Sequence, residues 1–193
     1  HVAAYFDKVK EMEALAFNGL WRKDLLHLSG GIEPGEPELF SQFMREFEAI
    51  AKEQYMGAEV TAVAKHSTEV NVTVNVAEYV NKGLNLVTFF GHSSSVNLDF
   101  DVGFVSDPVM GYDNKGKYPM FLINGCNAGA FFNGRLVFGE DWINTPDKGA
   151  VGFIAHSYFG YVSTLRAYSN TFYNVAYGDS TFIKQGIGDI QNE

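Results

Sequence analysis

Cys126 is the one cysteine of the chain. It stands where an apolar run, Met120-Phe121-Leu122-Ile123-Asn124-Gly125, gives way to a glycine-rich turn, Cys126-Asn127-Ala128-Gly129. A second run of the same kind, Leu84-Asn85-Leu86-Val87-Thr88-Phe89-Phe90-Gly91, ends in His92. Both runs read as buried strands, so a thiol and an imidazole emerge at two strand ends. In an open parallel sheet, chemistry collects at the carboxyl ends of the strands. A Cys and a His meeting there supply a nucleophile and its base. Taken singly, each residue also has a plainer reading: a free cysteine packs as a small hydrophobe, and a loop histidine makes structural hydrogen bonds.

The elements that must position this pair alternate along the chain. Val2 to Ala16 carries apolar residues at helical spacing (Val2, Tyr5, Phe6, Val9, Met12, Leu15) and stops at Asn18-Gly19. Asp24 to Ser29, closed by Gly30-Gly31, reads as a first buried strand. After a loop of Gly, Pro and Glu, Pro37 begins an amphipathic helix through Phe40, Phe43, Phe47 and Ile50 to about Tyr55. Ala58 to Ala64 is a second strand, and Asn75 to Asn81 a short helix with Gly83 beyond it. Asp99 to Gly116 is polar and turn-rich and reads as a surface excursion. Beyond Cys126 come a short helix around Glu140 to Asn144, a strand within Gly149 to Ala155, and a helix over Val162 to Tyr177. Strands alternating with helices imply parallel pairing with helices on both faces.

Composition narrows the function classes. A length of 193 residues at 46% hydrophobic content suits one core, hence a single α/β domain over 1–193. A net charge of −9 without a Lys/Arg run disfavours nucleic acid as a partner. One cysteine and five scattered histidines (His1, His27, His66, His92, His156) show no paired ligand spacing, which disfavours zinc; no metal site is assigned and no cofactor is expected. No apolar segment approaches the ~20 residues that cross a bilayer. No Gly-x-Ser-x-Gly elbow occurs, which disfavours an α/β hydrolase. The chain opens at His1 inside a helical pattern, without methionine or signal peptide, and is expected to be a piece of a longer precursor.

A hydrophobic strand ending in Gly91-His92-Ser93-Ser94 is followed, thirty-four residues after the histidine, by Cys126 at the end of another. This arrangement resembles the caspase, legumain and gingipain group of cysteine peptidases, and within it the gingipain-type catalytic domain. The segments that carry the likeness are Tyr79 to Ser94, Pro119 to Gly129 and Lys148 to Ala155, with a weaker likeness over most of the chain. The resemblance implies a caspase-like three-layer α-β-α sandwich with a mostly parallel sheet. It implies Cys126 as nucleophile, His92 as base and then acid toward the leaving amine, and oxyanion-binding amides at Cys126 and Ser93. Ser93 stands where the family usually has glycine.

Family members can also use an acidic residue after the first strand to support the histidine or fix substrate choice. Within Gly30 to Glu38, Glu33 is taken as the supporter of His92, and Glu36 and Glu38 as substrate-facing groups. The alternative is that all three are solvated and favour the helix N-terminus. Tyr158 and Tyr161, with Ser157 and Phe159, lie past the third of these apolar runs, where related enzymes build a wall of the primary pocket. They are either that wall or core beneath the Val162 helix. The activity implied is that of a gingipain-like cysteine endopeptidase or a sortase-like protein-processing domain, acting through an acyl-thioenzyme. The rival is a catalytically silent module used for binding or scaffolding. The partners implied are a polypeptide substrate and other domains of the same precursor, whose N-terminal subdomain lies outside 1–193. Since the family is largely bacterial and secreted or surface-attached, the resemblance alone suggests a secreted or cell-surface location.

Overall fold

A computed structural model of the chain describes residues 2–134, 137–183 and 185–192. In chain order the elements are α1 (Val2–Ala14), β1 (Asp24–Ser29), α2 (Glu36–Ala51), β2 (Glu59–Ala64), β3 (Val72–Thr73), α3 (Ala77–Lys82), β4 (Leu86–Phe90), β5 (Phe100–Asp101), β6 (Met120–Asn124), α4 (Phe138–Asn144), β7 (Gly152–Ala155), α5 (Val162–Tyr173) and α6 (Ile187–Gln191). Five strands form one sheet in the order β2-β1-β4-β6-β7, and every pair in it is parallel. A parallel crossover needs a long connection, usually a helix, and α2, α3, α4 and α5 provide the cover on both faces.

Alternation along the strands divides the core in two. On one face Leu25, Leu86, Phe90 and Leu122 pack against Phe40, Phe43 and Phe47 of α2 and Leu165, Phe172 and Tyr173 of α5. On the other, Leu26, Leu28, Val87, Phe89, Phe121 and Ile123 meet Val80 of α3 and Phe138 and Trp142 of α4. The strands β4 and β6 are central and buried nearly throughout, whereas β7 at the edge is only half-buried. The parallel pairing and two-sided helical cover expected from the order of elements, and the three-layer sandwich that the resemblance implies, are therefore present.

Two expectations need correction. Asp99 to Gly116 is not a surface excursion. Leu98, Phe100 and Val102, alternating along the chain, are buried together with Val105, Met110 and Tyr112, and β5 pairs in parallel with β3. The Tyr112 hydroxyl donates to the Val102 carbonyl at 2.8 Å, so its polar end is satisfied inside the core. Helix α1, for its part, does not bury an apolar face. Val2 and Phe6 are exposed, and the buried side chain of α1 is Lys8. Its ammonium donates to the carbonyls of Trp142 (3.2 Å) and Lys148 (3.0 Å), near the carboxyl end of α4, where the helix dipole favours a cation. Burial lowers the Lys8 pKa to about 8 despite the nearby charge of Asp141.

His27 on β1 is buried, with Nε2 2.8 Å from the Tyr173 hydroxyl, which lies 2.6 Å from Thr88 Oγ1. Its Nδ1 has no partner among the described residues. Burial pushes the His27 pKa from 6.5 down to about 4, so the imidazole is neutral in the fold at pH 7. The unfolded chain takes up this proton first as pH falls, so the stability held above pH 6.5 is lost progressively toward pH 4. Wild type is expected to lose about 2 kcal/mol more than His27→Gln between those limits. Urea melts of both proteins at several pH values check this, and parallel losses would refute it.

Candidate active site

The ladder between β4 and β6 fixes the height of the two candidate catalytic residues. Phe90 lies opposite Asn124, and the Gly91 amide donates to the Asn124 carbonyl at 3.0 Å. His92 and Cys126 each stand two residues beyond that matched pair. Neighbouring strands run ~4.8 Å apart, so the loops that carry them adjoin. They are also tied directly: the Ser93 hydroxyl donates to the Cys126 carbonyl at 2.7 Å. Gly125 makes this contact possible, because a Cβ there would overlap the Ser93 hydroxyl.

Buried Asn124 secures the same corner from below. Its amide nitrogen donates to the Phe89 carbonyl at 3.1 Å, and its oxygen accepts from Ser169 of α5 at 2.7 Å. One side chain thus joins β6, β4 and a covering helix. After Cys126 the chain turns through Asn127 at φ 59°, a left-handed conformation that asparagine tolerates better than most residues.

His92 is held at its ring and at its main chain. Nε2 lies 2.9 Å from Glu36 Oε2, and the ring packs 6.2 Å from that of Phe40. Glu36 and Phe40 are one turn apart on α2, so one helical face orients the imidazole. The His92 amide donates to Asp99 Oδ1 at 3.1 Å, and its carbonyl accepts from the Asp99 amide at 2.8 Å. Nδ1 has no bonding partner among the described residues, and 42% of the side chain is exposed.

The expectation that Glu33 supports His92 is corrected. Glu33 is exposed, and its amide donates to Glu36 Oε2 at 2.9 Å, as does that of Ile32 at 3.0 Å. Side chains in a first helical turn lean back toward the N-terminus, which carries the Glu36 carboxylate over these amides and onto the imidazole. The Glu36 carboxylate is therefore engaged by its own loop and by the imidazole. Burial raises its pKa, but the Glu33 and Ile32 amides and His92 outweigh burial and leave it below the usual value. Glu38 pairs at the surface with Arg45, 3.1 Å away. Sequence reading missed Glu36 in this role, although an acid next to Pro37 in the first turn of a helix, four residues before Phe40, was a usable signal.

Cys126 is half-buried. Its sulfur lies 3.4 Å from the Gly160 amide nitrogen and 3.7 Å from the Gly160 carbonyl oxygen. The segment around Gly160 is laced to the cysteine loop, since Asn127 donates to the Tyr158 carbonyl at 2.8 Å and Gly129 to the His156 carbonyl at 2.9 Å. Tyr158, Phe159 and Tyr161 are 70%, 61% and 74% exposed, so they are not core beneath α5, and they flank Gly160, whose main chain lies against the thiol. The amides of Ser93 and Cys126 have no protein acceptor among the described residues. Ser93 is not in the left-handed region, so its Cβ meets no positive-φ penalty. Among the described residues, which exclude His1, no group of three or more His, Cys, Asp or Glu is placed to hold a metal, and no helix is long and apolar enough to cross a membrane.

A parallel α-β-α sandwich with cysteine and histidine at adjoining strand ends defines the class: a caspase-like domain of gingipain type. The chain belongs to peptidase family C25, whose family model matches residues 1–193. Among solved structures it is similar to the Arg-specific cysteine proteinase gingipain R, with a TM-score of 0.76 and 16% identity over 98% of this chain and 45% of that one. It is also similar to the complex of Porphyromonas gingivalis RgpB pro- and mature domains, with a TM-score of 0.68 and 15% identity over 88% of this chain and 41% of that one. A third structure, titled as that of a protease, matches with a TM-score of 0.60 and 19% identity over 89% of this chain and 35% of that one. At these identities the likeness shows the fold alone, and the chain spans less than half the length of each structure. No curated protein matches it.

Glu36→Ala is expected to lower stability by about 1–2 kcal/mol, because two loop amides and the imidazole lose their acceptor. Glu33→Ala should stay within about 0.5 kcal/mol of wild type. Because the folded pKa of Glu36 is depressed, the contribution of its charge is present above the ordinary carboxylate range and fades as pH falls through the lowered value. Denaturant titration of both variants at neutral and acid pH measures this. Equal effects of the two substitutions would contradict the assignment of Glu36.

Proposed function

We propose that this domain is a cysteine endopeptidase or protein-processing enzyme in which Cys126 and His92 act as a pair. The observation that carries the reading is the Ser93 bond to the Cys126 carbonyl, which joins the thiol's loop to the imidazole's. Glu36 on Nε2 directs Nδ1 toward the remaining role, that of base. His92 accepts the thiol proton as the Cys126 sulfur bonds to the scissile carbonyl carbon. The same proton then goes to the leaving amine, the C–N bond breaks, and an acyl-thioenzyme remains. Water, deprotonated by His92, hydrolyses the thioester and restores the thiol.

The unpaired amides of Ser93 and Cys126 are the donors for the tetrahedral oxyanion, each worth ~10² to 10³ in rate when well aimed. Tyr158 and Tyr161 form the wall against which a substrate side chain seats, and Glu33 and Glu38 take no part in the chemistry. The substrate is a polypeptide, and the partners are other domains of a longer, exported precursor of which 1–193 is one domain. This part of the reading is supported by family membership and by the share of the gingipain chains that the domain covers. The same likeness supports a secreted or cell-surface location as part of this reading.

Cys126→Ala is expected to reduce hydrolysis of a mixed peptide library by ~10⁴-fold or more, while stability changes by about 1 kcal/mol or less. His92→Ala should match it in activity. Iodoacetamide should label native Cys126, since a half-exposed thiol that is paired with an imidazole, as proposed, reacts readily. Labelling only after unfolding, or hydrolysis that survives Cys126→Ala, would defeat the reading and favour a binding module.

A further inference from the structure

Asp99 is 4% exposed, and its carboxylate sits where the carboxyl ends of β1, β2 and β4 converge. Oδ1 accepts the His92 amide at 3.1 Å and Oδ2 the Gly31 amide at 2.6 Å. Those two donors belong to different loops. His92 carries the imidazole, and Gly31 leads into the turn whose Ile32 and Glu33 amides hold Glu36. Lys65, just past β2 and 2% exposed, places its ammonium 3.4 Å from Oδ2 and donates to the Glu69 carbonyl.

The surroundings are shaped around this carboxylate. A Cβ at Gly30 or at Gly91 would overlap the Asp99 carboxylate. These glycines close β1 and β4, and the Gly30 amide donates to the Phe90 carbonyl at 2.9 Å. Asp99 is itself fixed by its main chain, whose amide bonds His92 and whose carbonyl accepts from Val72 at 3.0 Å. One side chain therefore sets the separation between the loop that presents the imidazole and the loop that presents the carboxylate orienting it.

We propose that Asp99, with Lys65 as its buried counter-charge, is the positioning residue of the Cys126–His92 pair, acting through the main chain of His92 and of the Gly31 turn. The proposal rests on the pairing of Cys126 with His92. Asp99 touches neither substrate nor thiol. It fixes where the imidazole begins, while Glu36 fixes how the ring is turned.

Two variants of the 193-residue chain separate positioning from structural support. Asp99→Asn keeps the shape and removes the charge, leaving Lys65 buried and unpaired. Lys65→Met/Asp99→Asn removes both charges of the pair. The double variant is expected to regain most of the melting temperature lost by the single one, as replaced buried ion pairs often do. Because Cys126 is the one thiol, iodoacetamide reports on it directly. The ratio of the alkylation rate at about pH 6 to that at about pH 8.5 should fall about tenfold or more in both variants, since a thiol without a placed imidazole reacts poorly at low pH.

Four outcomes decide the matter. A reduced ratio in the double variant with recovered stability supports the proposal. A ratio that returns together with the melting temperature marks Asp99 as merely structural and overturns it. A wild-type ratio retained in both variants also overturns it. A wild type that already shows the low ratio of an isolated thiol defeats the pairing itself, and with it both the proposed chemistry and this role for Asp99. If Asp99→Asn does not fold, the double variant alone carries the comparison.

Discussion

A carboxylate shut away from water must find donors and a counter-charge, or its burial costs several kcal/mol. Asp99 meets that demand with two backbone amides and the Lys65 ammonium, and each of these comes from a different strand end. Satisfying one buried charge therefore requires the carboxyl ends of β1, β2 and β4 to meet at one point. Such an arrangement stabilises weakly compared with an apolar core, but it tolerates little displacement. A shift of any of the three loops would leave a buried donor or acceptor without its partner.

The rest of the architecture supplies the stability that this corner lacks. Side chains such as Phe40, Phe47, Phe89, Phe121 and Trp142 are almost wholly buried, and each contributes roughly 1.5–3 kcal/mol by leaving water. Their division between two faces follows from the period of the strands, with the even and odd positions of one run serving opposite helical layers. The site occupies the ends of these strands, where the backbone leaves the ladder and its amides are no longer committed to pairing. That is why free amides, a half-exposed thiol and a half-exposed imidazole appear together there and not along the strands.

Much of this was legible in the chain. The runs ending in His92 and Cys126 were readable as buried strands because near-continuous Leu, Val, Ile and Phe suits a strand buried on both faces. Helix α2 showed itself through the spacing of Phe40, Phe43 and Phe47. Helix α1 misled, because the same spacing of apolar residues occurs in a helix that uses a lysine, Lys8, as its anchor. The segment from Asp99 to Gly116 misled in the opposite sense. Its turn residues were conspicuous, whereas the alternation of Leu98, Phe100 and Val102 was short and interrupted by acids.

The alternation of the five main-sheet strands with helices, their cover on both faces, and the delivery of a thiol and an imidazole to strand ends were determined by the sequence alone, since they depend on periodicity and local turns, whereas the short pair β3 and β5 was not. Which carboxylate meets His92 was not. Glu33, Glu36 and Glu38 share one short loop and one chemical type, and the choice of Glu36 depends on where α2 begins and how its first turn leans over the preceding amides. Asp99 was equally hidden, because nothing local distinguishes a buried aspartate from a solvated one beside Asp101. Its partners Gly31, Lys65 and His92 are 68, 34 and 7 residues away, and contacts across such separations exist only once the parallel sheet has brought the strand ends together.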